Sequence, residues 1–90
     1  MDTVAYSELL VRFGKDLMRI AEGAEAAAGN TIEGDERTIA IAAARRKFDD
    51  YAEIIDTLDE ESKALKTQFT KRFAASVDMI RTSLAKIDGG

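Results

Sequence analysis

No cysteine, histidine, tryptophan or proline occurs anywhere in these 90 residues, and there are only six glycines. Without Cys there is no disulfide frame and no thiolate nucleophile. Without Cys or His neither a zinc site nor the Glu-x-x-His pairs of a dinuclear carboxylate centre can be assembled. Nucleophilic catalysis is reduced to an unusual pairing such as Ser62 with Lys66, a spacing common on helices by chance. Gly29-x-x-x-x-Gly34 is followed by Asp35 where a phosphate-binding loop places Lys, and an acid there repels the ligand. The acidic cluster Asp49, Asp50, Glu53, Asp56, Asp59, Glu60 and Glu61 has no Gly-centred loop and is scattered round a helix, so it reads as a solvated face. No enzyme activity, metal or cofactor is expected.

Long apolar runs are also missing. The longest, Ile39 to Ala44, is far too short to span a bilayer, and the start Met1-Asp2-Thr3-Val4 lacks the basic and apolar regions of a signal peptide. A soluble, cytoplasmic protein is expected, although a leaderless export substrate would have the same composition. The formal charge of -4 and pI of about 4.8 oppose binding to a nucleic-acid backbone.

What the chain does contain is helical periodicity. From Thr3 to Ala28, Tyr6, Leu10, Phe13, Leu17, Ile20, Ala24 and Ala27 recur at three- and four-residue steps, with Asp2 or Thr3 available as the cap. Gly14 and Gly23 interrupt this helix; close approach of a neighbour explains them best, and a hinge is the sharper alternative. The turn Gly29 to Gly34 is the one clear break, with Gly29 expected at positive φ and Ile32 expected to fold back over the helix pair. Asp35 and Glu36 then open the next helix with acidic charge at its positive pole.

Between Asp35 and Asp88 there is neither Gly nor Pro. A seam of Ile41, Ala44, Phe48, Tyr51, Ile55, Leu58, Ser62, Leu65, Phe69, Phe73, Val77, Ile80, Leu84 and Ile87 passes through it, in phase at Leu58, Ser62 and Leu65 and with a stutter of three consecutive four-residue steps between Leu65 and Val77. The expected fold is all-α: one domain over residues 1–90, an antiparallel helical hairpin with helices at about 3–28 and 35–87. The alternative is a compact three-helix bundle, broken near Asp59 or at a Thr57–Glu60 capping box. A continuous second helix would outreach the first and leave Phe69, Phe73, Ile80 and Leu84 for another chain. The expected interface is therefore Phe48, Tyr51, Ile55, Leu58, Leu65, Phe69, Phe73, Val77, Ile80 and Leu84.

Charge is unevenly distributed. From Ser62 onward six bases, Lys63, Lys66, Lys71, Arg72, Arg81 and Lys86, face two acids, a balance of +4 that leaves -8 for everything before it. Lys63, Lys66, Lys71 and Arg72 are expected to steer this third toward an acidic surface, the Asp49–Glu61 segment of another copy above all. A membrane surface is disfavoured, since the stripe has bundle spacing and no Trp or Tyr anchor. Gly89-Gly90 shares only its two letters with conjugated modifiers and is expected to be a frayed end.

In size, acidity, absence of Cys and two-helix layout the chain is similar to the small helical hairpins exported by specialised secretion systems, notably the Trp-x-Gly class. The turn at Gly29–Gly34 has no Trp-x-Gly and no Tyr-x-x-x-Asp follows the last helix. Secretion-needle subunits are comparable in length, but the Pro-containing turn usual there is absent. The functions expected are, first, a non-enzymatic helical assembly or adaptor protein that self-associates through coiled-coil-type contacts. A leaderless substrate or structural component of a secretion system is second, and a peripheral membrane-binding amphipathic helix third.

Overall fold

Asp2 starts the first helix. Its Oδ1 accepts the Ala5 N–H at 2.7 Å, satisfying one of the unpaired amides of the first turn. The computed structural model describes residues 1–89, and among these the chain forms four α-helices and no strand: α1 Thr3–Gly14, α2 Leu17–Ala28, α3 Gly34–Glu61 and α4 Lys63–Gly89. Gly89 is the last residue of α4, and Gly90 lies outside the described residues.

The expected helix over 3–28 is bent. At Asp16 the backbone leaves helical values (φ -113°, ψ 9°), while the amides of Lys15 and Ile20 keep helical partners at Val11 and Asp16. Gly14 accounts for the position of the bend. A Cβ there would stand 3.2 Å from Cε1 of Phe73, so the ring occupies the space a side chain would need. The close approach expected at Gly14 is present, and the chain bends just beyond it. Gly23 instead stays inside α2, where a Cβ would meet Ala40 Cβ at an ordinary 3.6 Å.

At the turn, the left-handed residue is Asn30 (φ 58°) and not Gly29 (φ -87°), a correction to the sequence reading. The Thr31 N–H donates to Ala26 O at 3.0 Å and the Asn30 N–H to Ala27 O at 3.3 Å. This is a Schellman ending, in which the left-handed position lies one residue beyond the cap. Asn tolerates that conformation because its side chain is short and polar. Gly34 (φ 60°) then redirects the chain into α3, and Asp35 and Glu36 occupy the first turn as expected.

The continuous helix over 35–87 does not form. The chain breaks at Ser62 (φ -164°, ψ 109°), and α4 folds back along α3, so the compact bundle is the architecture present. Neither Asp59 nor Thr57 is the cap; Ser62 Oγ accepts the Leu65 N–H at 3.3 Å, and the Thr57 hydroxyl donates to Glu53 O within α3. The break is driven by burial at long range. Folding back brings Phe69, Phe73, Val77, Ile80 and Leu84 against the chain's own first helices, and burying each such side chain contributes about 1.5–3 kcal/mol. The long dimension of the bundle, 43 Å, is then the length of α3 alone.

Two kinds of packing divide the core. Near the Ser62 end, Phe13 meets Phe69 and Phe73 at ring separations of 5.3 and 5.0 Å and Tyr51 at 5.9 Å, tilted and edge-on geometries favoured by ring quadrupoles. Toward the other end, Ala21, Ala24, Ala27 and Ala44 are fully buried, and small side chains let helix axes approach closely. α2 accordingly lies nearest α4 and α3, whereas α1 stands off on its larger residues.

Candidate interaction surface

All ten residues expected to form an intermolecular seam converge on one core inside the chain. Leu58, Phe69, Val77 and Ile80 are 0–2% exposed, Phe73 and Leu84 are buried, and Phe48, Tyr51, Ile55 and Leu65 are half-buried against them. The premise that Phe69 and Phe73 lie beyond the first helix is overturned, because both touch Phe13 of α1. The reversal at Ser62 carries them there.

The four steering bases lie on the outside of the first half of α4. Lys63, Lys71 and Arg72 are exposed, and Lys66 is half-buried. The acidic segment and the basic third meet within the chain: Lys66 Nζ stands 2.9 Å from Asp59 Oδ1 across the turn. That hydrogen bond, then the charge of Lys66 and more weakly of Lys63, holds the Asp59 carboxyl below its ordinary pKa. At the opposite end Arg45 clamps Asp88 with both guanidinium nitrogens, at 3.0 and 2.5 Å. The same contact lowers the Asp88 pKa and raises that of Arg45. Both pairs join α3 to α4.

Cations also cover ring faces at the rim of the aromatic cluster. Lys47 Nζ lies 4.8 Å from the Phe13 centroid, and Arg81 lies 5.5 Å from that of Phe48. Burial lowers the Lys47 pKa, offset in part by Asp50 and Asp16. No group of three or more acids, His or Cys that could hold a metal exists among the described residues, and none of their helices is long and apolar enough to cross a membrane.

Once the core has closed, a different apolar set faces outward. Val4, Val11 and Met18 remain 68, 71 and 55% exposed, and Ile39 is 68% exposed. The first three recur every seven residues along α1 and α2. Ile39 stands at an open groove between α2 and α3, shared with Ile20, Gly23, Ile32, Ala40 and Ala43. Ile32 does fold back onto the helix pair, at the end of this groove. The outer set lies off the one stripe per helix that the three- and four-residue spacing traces. The signal was present: Val11 and Met18 fall between seam positions, and Val4 and Ile39 each precede a seam residue, Tyr6 and Ile41, by two.

Comparison with protein-family models, with curated proteins and with solved structures finds no match for this chain.

Proposed function

We propose that the chain is a non-enzymatic helical assembly or adaptor protein that works by docking an apolar helix face against another protein, a second copy included. The observation that carries this reading is the outward set of Val4, Val11, Met18 and Ile39, large apolar residues more than half exposed after the core is complete. Val4 and Val11 stand seven residues apart on α1, the spacing by which one helix meets another, and Met18 follows beyond the bend on α2. The net charge of -4 favours a protein over a polyanion as partner.

Light scattering across micromolar concentrations tests it. Association is expected in the unaltered chain, and it should weaken in the Val11→Glu, Met18→Glu double variant and in Ile39→Glu while thermal stability is kept, because these side chains lie outside the core. Association unchanged in both variants would remove the outer set as the docking face.

A further inference from the structure

Helices of 28 and 27 residues meet at Ser62 through a single non-helical residue. Helical bonding runs up to it from both sides: the Ser62 N–H donates to Leu58 O at 2.8 Å and the Lys66 N–H to Ser62 O at 3.0 Å. Charge is arranged against this break. The last turn of α3 carries Asp59, Glu60 and Glu61 without a base, and the first turn of α4 carries Lys63 and Lys66 without an acid. Each end thus opposes its own helix dipole. In an unbroken helix both ends disappear, Asp59 leads Lys63 by four residues in the favoured order, and Leu58, Ser62 and Leu65 stay in phase. What holds the bend is the burial of α4 together with the Asp59–Lys66 and Arg45–Asp88 pairs, and a second copy offers α4 the same surface and the same partners.

We propose that Ser62 is a hinge at which α3 and α4 straighten into one helix, and that two opened copies exchange α4, each completing the bundle of the other. Every contact α4 makes with α1, α2 and α3 is reproduced between chains, with Arg45–Asp88 and Asp59–Lys66 becoming intermolecular. A connection this short favours exchange over slack closure. The exchange uses core faces and not the outer set of Val11, Met18 and Ile39, so it stands or falls separately from the reading above. Its product is a rod of two bundles that presents each outer face twice, which raises the avidity of any docking there.

The absence of Cys makes a direct test simple. Asp49→Cys and Thr82→Cys place spin labels on exposed positions of α3 and α4 beside the contacting pair Phe48 and Arg81. Doubly labelled chain is refolded with a large excess of unlabelled chain, so that each dimer holds one labelled copy. In the closed chain the labels sit on neighbouring helices, whose axes are about 10 Å apart. In the straightened chain 33 helical residues separate them by about 50 Å. The dimer formed on refolding at millimolar concentration should show the long distance. Ser62→Ala, which removes the cap from both copies, should raise the association constant about tenfold or more. The Val11→Glu, Met18→Glu variant should leave the long distance in place. A dimer with only the short intrachain distance, or Ser62→Ala remaining monomeric with the short distance at millimolar concentration, would overturn the hinge.

Discussion

Phe73 and Gly14 define a tight contact, in which an added carbon would stand 3.2 Å from the ring, whereas Gly23 faces Ala40 across an ordinary van der Waals gap. The two glycines share a helix-like local sequence but differ in what stands opposite them. Gly23→Ala should therefore stabilise the protein by about 0.4–1 kcal/mol, through helix propensity and a less flexible unfolded chain. Gly14→Ala should lose that gain and destabilise by about 1–3 kcal/mol, because Phe73 must shift within a packed aromatic cluster. Thermal midpoints of the two single variants, moving in opposite directions, check the assignment; equal shifts would contradict it. At the turn, Asn30 takes the left-handed position that Gly29 was expected to fill. Local sequence offered both residues, and the helix closes one residue later than expected, with the Asn30 and Thr31 amides on Ala27 and Ala26.

At the scale of elements, α3 and α4 are joined at both ends by ion pairs that titrate. The Asp59 and Asp88 carboxyls are both held below the ordinary value of 3.8 in the folded chain, by Lys66 and Arg45. A carboxylate depressed on folding adds stability that is fully present above its unfolded pKa and is lost as pH falls through the folded one. Acid should accordingly loosen α4 below about pH 4, and Asp88→Asn should flatten that part of the stability–pH curve. Denaturant midpoints measured from neutral pH downward test this, and an unchanged curve would show that the clamp does not form in solution.

The elements themselves were mostly legible. Tyr6, Phe13, Leu17, Ala24 and Ala27 lie on the buried side of α1 and α2 as their spacing predicts, and the 29–34 turn is where the glycines put it. The break at Ser62 was not legible. Ser62 fits the seam of a continuous helix and the cap of a new one equally well, and no nearby Gly or Pro decides. The choice is made by side chains more than fifty residues apart from each other in sequence, Phe13 against Phe69 and Phe73. Gly14 and Gly23 looked alike as places for a bend, and only the tertiary position of Phe73 sets Gly14 apart.

For the molecule as a whole, the reversal converts a seam expected between chains into a private core. Phe13→Ala or Phe69→Ala should each cost about 3–5 kcal/mol. That is a large part of the 5–15 kcal/mol that stabilises an ordinary domain. Since both rings are consumed within one chain, the loss measured by denaturant at low concentration should appear in the monomer, with no dependence on protein concentration. A loss that vanished on dilution would return these rings to an intermolecular role.

The placement of Tyr51 has a practical consequence. With no Trp in the chain, ultraviolet emission comes from Tyr6 and Tyr51 alone and is not drained to a stronger acceptor. Tyr51 sits on α3 within 5.9 Å of the Phe13 ring from α1 and 6.1 Å of the Phe69 ring from α4. A Tyr6→Phe chain would therefore carry a single native chromophore at the junction of three helices, one that reports their meeting and parting without any attached dye.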